Sequence, residues 1–295
     1  MMQSSSGKPG QKKRVALVIG AGSVKCAAAL GLWRVLQREG IELDMVVGAS
    51  GGSIYASSMA IGHSVDESTA LTQKLWTSEI SSKTNWRGLL GAFLPKLFGF
   101  DGGFAMLDDG PITRALGRAF GDVTFAQTKL PLFIVATDLM NGERVVLKQG
   151  SIADSIRAST AIPYVWKPVE IGGRRLLDGC VSDPMPVAVA MQEGADIILT
   201  MGFESPYPSQ IRSASRYAFH ITSIYTNNLL RANFAFNNLA HHTEIIPIIP
   251  EFDKPVRLFD THLIPYVIEE GARAAEAQLP YLHSLLEDRP VEEAA

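Results

Sequence analysis

Short unbroken apolar runs alternate along this chain with stretches whose apolar residues fall at helical spacing, and that alternation predicts its elements. Arg14 to Ile19 is a run rich in apolar and β-branched residues that stops at Gly20. Cys26 to Glu39 then places Ala28, Leu32, Val35 and Leu36 on one helical face before Gly40. A strand, a glycine-rich turn and a helix are expected there. Leu43 to Val47 predicts a second strand, Gly48 to Gly52 a tight turn, and Ser53 to Ile61 a helix of small residues able to pack close to a sheet. The order β-α-β-α calls for a parallel sheet.

Further on, Leu132 to Thr137 and Ile197 to Met201 read as buried strands, whereas Arg144 to Leu147 and Val169 to Leu177 read as strands nearer an edge. Helical patterns separate most of them. Ser209 to His242 contains neither Gly nor Pro, which predicts one long helix or two joined helices. Leu263 to Leu286 reads as a closing helix despite Pro265 and Pro280. Neither an internal repeat nor a linker is visible. Met1 to Arg14 is rich in Ser, Gly and Lys and lacks the apolar core of a signal peptide. The expected organisation is a disordered tail over residues 1–13 and a single domain over 14–290.

Composition narrows the partners. With 295 residues, 46% of them hydrophobic and 19% charged, the chain can bury a sizeable α/β core. A net charge of -3 without any Lys/Arg run provides no field for nucleic acid. Cys26 and Cys180 stand far apart and outside metal-ligand spacing, which argues against a disulfide framework and a zinc site and fits a reducing cytoplasm. Met45 to Val65 has no charged residue, yet its five Ser, four Gly and His63 make it too polar for a membrane span, so membrane contact is expected to be peripheral.

Three places carry candidate chemistry. Gly48-Ala49-Ser50-Gly51-Gly52 matches G-x-S-x-G between a predicted strand and a predicted helix, the setting of a nucleophile elbow. There a sharp turn lifts the Ser hydroxyl above the sheet edge, and flanking glycines remove Cβ atoms that would clash. On the pentapeptide alone, Ser50 as a mere helix cap is the favoured reading. Gly20-Ala21-Gly22-Ser23-Val24-Lys25-Cys26 joins the first strand to its helix and can cradle an anion. It departs from a dinucleotide fingerprint because Lys25 stands where the last glycine belongs, although Glu42 or Asp44 could still take the ribose. It also suits an oxyanion hole built on the Gly22 and Ser23 amides, or a plain packing turn. Leu176-Leu177-Asp178-Gly179 ends a strand with a carboxylate that can project over the sheet edge, though Asp-Gly alone signals a turn. None of the six histidines, His63, His220, His241, His242, His262 and His283, has a setting that marks a triad member.

In this order the three sites make the chain resemble the patatin-like phospholipase family, particularly small bacterial members related to the catalytic region of neuropathy target esterase, from about Val15 to about Val187. Ala136-Thr137-Asp138-Leu139, the block Ile156 to Pro163, and Asp183-Pro184-Met185-Pro186-Val187 look like family blocks. The resemblance implies a three-layer α/β/α fold with a mainly parallel sheet. It implies Ser50 and Asp178 as a catalytic dyad, Gly20, Gly22, Ser23, Val24 and Lys25 as the oxyanion hole, and Gly48, Gly51 and Gly52 as the elbow. The activity expected is release of fatty acid from a phospholipid or lysophospholipid, without metal or organic cofactor, in the cytoplasm or peripherally at the inner membrane surface. Cys26 and Cys180 replace residues that are usually Gly, and Gly or Ala, in the family. The rival readings are a Ser-His-Asp α/β-hydrolase and a catalytically silent lipid- or dinucleotide-binding module.

One further pattern has no assigned role. Trp86, Leu89, Leu90, Phe93, Leu94 and Leu97 share one helical face inside residues 86–98. That face suits either a core helix or a flap over the site that docks on lipid, with Arg87 and Lys96 near the headgroups.

Overall fold

The computed structural model describes residues 12–75, 77, 80, 83–86, 88, 90, 97, 104–205, 207, 210–212, 214–240, 243–256 and 260–287. Its centre is strand β1 (Val15–Ile19), whose five residues are all buried. Strand β2 (Met45–Ala49) pairs with β1 in parallel, in the register Ala16↔Met45 to Ile19↔Gly48. Strand β7 (Ile197–Met201) pairs in parallel along its other edge. A strand covered on both faces cannot alternate polar and apolar positions, which is why these runs are continuously apolar.

The remaining strands complete one eight-stranded mixed sheet. Strand β3 (Leu132–Asp138) joins β2 in parallel, and β8 (Glu244–Pro247) joins β7 in parallel. Strands β4 (Arg144–Leu147) and β6 (Arg174–Asp178) both lie antiparallel to β3, and β5 (Val169–Ile171) lies antiparallel to β6. The single edge strand expected over Val169 to Leu177 is therefore a hairpin. Gly172 and Gly173, at φ 60 and 76, form its two-residue turn, a backbone geometry that glycine adopts without strain. The short β8 carried no pattern that marked it as a strand.

Helices cover both faces, giving three layers. Val15, Leu17 and Ile19 face a core shared with α1 (Ala28–Arg38), α2 (Gly51–Ile61), α3 (Val65–Leu75), α4 (Gly110–Phe120), α5 (Ile152–Ser159) and α8 (Ile264–Leu286). Ala16 and Val18 face a smaller core with α6 (Val187–Gln192) and with Leu230 of α7 (Ala214–Ala240). The stretch without Gly or Pro is thus one helix. Pro265 lies in the first turn of α8, where a missing N–H costs nothing, while Pro280 lies inside it. Helix α1 starts later than its apolar spacing suggested, after a 3-10 turn over Ser23–Ala27, and α2 starts earlier, at Gly51.

At the chain's start, Lys12 pairs with Glu42 at 2.6 Å, and Lys13 donates to Leu285 O at 2.6 Å. The rest of the expected tail lies outside the described residues, as do Arg87, Leu89, Phe93, Leu94 and Lys96 of the 86–98 pattern. Trp86, Leu90 and Leu97 of that pattern are exposed.

Candidate active site

The parallel strands all end on one edge of the sheet, and there β2 passes into α2 through Ser50. Ser50 sits at φ 53 and ψ −131, a conformation that costs a non-glycine residue about 1–3 kcal/mol and persists only where its surroundings hold it. Close packing holds it. A Cβ on Gly52 would lie 2.1 Å from Ile19 O, one on Gly48 2.5 Å from Ser53 Cα, and one on Gly51 2.8 Å from Ser23 Cα. The last contact joins two sequence motifs into one surface, because the elbow rests directly on the glycine-rich turn. The Ser50 side chain makes no cap bond to α2. Its Oγ donates instead to Asp178 Oδ2 at 2.9 Å.

Asp178 arrives by a different route. Strand β4 occupies Ile134–Thr137 on one edge of β3. The other edge is therefore shared, with β2 running up to Ala49↔Val135 and β6 coming down to Asp178↔Ala136. The two strand ends meet head-on at consecutive residues of β3. The fully buried carboxylate accepts from Ser50 Oγ on Oδ2 and from Cys180 N–H on Oδ1, each at 2.9 Å. Burial raises its pKa from the ordinary 3.8 to about 6, while hydrogen bonds from the backbone and thiol of Cys180 and from Ser50 oppose part of that rise. At neutral pH it is an ionised acceptor poised on a hydroxyl.

The glycine-rich turn divides in two. Gly20 N–H donates to Met201 O at 2.8 Å and Ala21 N–H to Pro184 O at 2.9 Å, so the amide of Gly20 serves the turn. Val24 is buried in the core under α1. Gly22, Ser23 and Lys25 are the expected hole residues that line the cavity above Ser50, and Gly51 at the start of α2 lines it too. That cavity measures about 260 Å³ and has an apolar wall of Ile162, Trp166, Phe203 and Leu230. Lys25 Nζ donates to Glu204 O at 3.2 Å, and burial lowers the Lys25 pKa.

A family model, patatin-like phospholipase, matches residues 17–191 of this chain. The chain belongs to the patatin-like phospholipase family. An uncharacterized NTE family protein of Mycobacterium tuberculosis is 28% identical over 226 residues, covering 75% of this chain and 57% of the relative. Mouse patatin-like phospholipase domain-containing protein 6 is 26% identical over 189 residues, covering 63% of this chain and 13% of that protein. The chain thus spans little more than half the length of its mycobacterial relative. In fold it is similar to VipD from Legionella pneumophila, with a TM-score of 0.50 at 15% identity over 92% of this chain and 67% of that one. ExoU of Pseudomonas aeruginosa, in complex with SpcU, gives the same TM-score at 15% identity over 94% of this chain and 53% of that one.

Both departures from the usual family residues fit locally. The Cys26 thiol is fully buried and donates to Gly20 O at 3.3 Å from beneath the turn, and burial pushes its pKa far up. Such a thiol is inert. Cys180 holds Asp178 through its backbone N–H, a bond that any residue at that position can make. Among the described residues no histidine lines the cavity; His63 bonds Ser58 Oγ at 3.0 Å and His283 lies 3.6 Å from Glu39. The acids that could have bound a ribose are engaged elsewhere. Glu42 pairs with Lys12, and Asp44 accepts Val15 N–H at the far end of β1.

Two residues without an assigned role support the pair. Thr137 Oγ1 donates to Asp178 O at 2.8 Å. Ser159 Oγ accepts the Ser50 N–H at 2.9 Å. Both sit in blocks that resembled the family, but no local spacing pointed to them, because each acts across the sheet.

Proposed function

We propose that this chain is a serine ester hydrolase that releases fatty acid from phospholipids or lysophospholipids, with Ser50 as nucleophile and Asp178 as its base. The observation that carries the proposal is the 2.9 Å bond from Ser50 Oγ to the buried Asp178 carboxylate, made in place of a helix cap. Asp178 accepts the hydroxyl proton as Oγ attacks the acyl carbonyl. The oxyanion that forms faces the Gly22/Ser23 turn and the start of α2, where the helix dipole adds to its stabilisation. The protonated Asp178 then returns the proton to the leaving alkoxide. Deprotonation of a water by the same carboxylate releases the acid from the acyl-enzyme.

Membership of the family supports a lipid substrate, and the apolar cavity wall suits an acyl chain. Exposed apolar side chains support contact with a membrane surface at the catalytic edge. Met140, Ile249 and Tyr207 follow the ends of β3, β8 and β7 on that edge, and the first two are 74% and 69% exposed. We place the protein in the cytoplasm, peripherally at the inner membrane surface, and assign it a single catalytic domain over residues 14–290. No helix among the described residues is long and apolar enough to cross a membrane.

A fluorophosphonate probe tests the proposal, followed by release of fatty acid from phospholipid and lysophospholipid vesicles. Labelling that is lost in Ser50→Ala, together with acid release by the wild type, is the expected result. Labelling that persists in Ser50→Ala would overturn the assignment of the nucleophile.

A further inference from the structure

Where β2 leaves the sheet, one hydroxyl stands in place of a ladder bond. Val46 N–H donates to Pro131 O at 2.9 Å, and the register continues unchanged to Ala49↔Val135. A parallel ladder repeats every second residue, so the donors that follow are Gly48 N–H toward Phe133 O and then, just past the end of β2, Ser50 N–H toward Val135 O. Instead, Ser50 N–H donates to Ser159 Oγ at 2.9 Å, and that same hydroxyl donates to Val135 O at 2.6 Å. Ser159 is fully buried at the last residue of α5, with both hydrogen-bonding roles of its hydroxyl used on backbone.

We propose that Ser159 is a positioning residue for the hydrolysis, holding the nucleophile's backbone one side chain away from β3. The inference rests on the reading of Ser50 and Asp178 given above. Three consequences follow from the geometry. The inserted hydroxyl keeps Ser50 at its positive φ, from which Oγ reaches Asp178. It also occupies the Ser50 amide, which leaves the oxyanion to the Gly22/Ser23 turn and the Gly51 amide rather than to the nucleophile's own N–H. Finally, it ties both members of the pair to one carbonyl, because a Cβ on Gly179, next to Asp178, would lie 2.2 Å from Val135 O.

Removing the hydroxyl leaves a buried N–H and a buried C=O without partners. They can satisfy each other by closing the ladder, which extends β2 by one step and draws Ser50 away from Asp178. Ser159→Ala should therefore lower kcat on a short p-nitrophenyl ester roughly 10- to 100-fold, with KM little changed. Loss of the Ser50 hydrogen bond, which holds the Asp178 pKa down, should also move the acid limb of kcat to higher pH. Ser159→Thr, which keeps the hydroxyl, should restore most of kcat. Ser155→Ala serves as a control: its buried hydroxyl bonds Ser151 O within the same helix and should affect the melting temperature alone.

A Ser159→Ala protein with wild-type kcat and an unmoved acid limb, or a folded Ser159→Thr protein as slow as the alanine variant, overturns the proposal. If Ser159→Ala does not fold, Ser159→Cys carries the same test, since its thiol is a weaker donor of similar shape. Lowered kcat at unchanged KM supports the role, and wild-type kcat overturns it. Full activity in Ser50→Ala would mark failure of the underlying reading instead.

Discussion

Strands β2 and β6 approach the same edge of β3 from opposite directions, and they build their ends differently. The β2 end is made by local sequence: four small residues around Ser50 let the chain turn sharply, pack on Ile19 O and Ser23, and hold a strained serine. The β6 end is an ordinary extended strand whose carboxylate becomes unusual through its surroundings, being fully buried and met by the Ser50 hydroxyl and by the backbone N–H and thiol of Cys180. Strain thus sits on the nucleophile and desolvation on the base. The first can be read from five consecutive residues, whereas the second depends on a sheet that brings together residues 128 positions apart.

The largest expected effect removes either end. Ser50→Ala and Asp178→Asn should each lower esterase turnover by at least about 10³-fold, and the double variant should be no worse, because the pair acts as one unit. Single-variant and double-variant kinetics on p-nitrophenyl esters measure this directly. Near-normal turnover in Asp178→Asn would separate the two ends and point to a different base.

The next effect sets packing at one end against charge at the other. Gly52→Ala forces a methyl group against Ile19 O and should destabilise the fold by roughly 2–4 kcal/mol in denaturant unfolding. Asp178→Asn should do the reverse. The native state holds the Asp178 proton up to about pH 6, against an ordinary pKa of 3.8, so wild-type stability falls as pH rises through that window and stays lower above it. Relieving that ionisation should stabilise the variant by about 3 kcal/mol at pH 8, with the gain shrinking toward pH 4. Over the same window wild-type kcat should rise, because the reaction needs the carboxylate. An acid limb near pH 4 would show that the site is wetter than its burial indicates.

The smallest effect is expected at Cys180. Cys180→Gly restores a residue usual in the family and keeps the backbone bond to Asp178, so turnover should change by less than about threefold. The variant loses the thiol's contact with Asp178, which helps hold that pKa down, so the acid limb should move slightly to higher pH; a larger loss of turnover would show that the thiol contact is needed for the reaction.

Much of the architecture was legible along the chain because β1, β2, β3 and β7 are buried on both faces, and their apolar runs are long enough to stand out. The hairpin over Val169 to Asp178 was less so: two short edge strands around Gly172-Gly173 read as one edge strand until their pairing is known. Strand β8 ends on Pro247, a residue that argues against a strand in sequence and that only an edge strand tolerates. The elbow was visible because a close approach of backbones demands glycine at specific positions, and glycine leaves a mark in sequence.

What the sequence determined by itself was the alternation of strands and helices that calls for a parallel sheet, the position of Ser50 between a strand and a helix, and the presence of Asp178 at a strand end. Local constraints of steric fit and hydrophobic periodicity suffice for each. Only the tertiary structure decided that β2 and β6 share one edge of β3, that Gly51 rests on Ser23, and that Ser159 takes the place of a ladder bond. These are pairings between distant segments. Burial raises the pKa of Asp178 and couples it to Ser50 only once the folded sheet has excluded water from the point where both strands end.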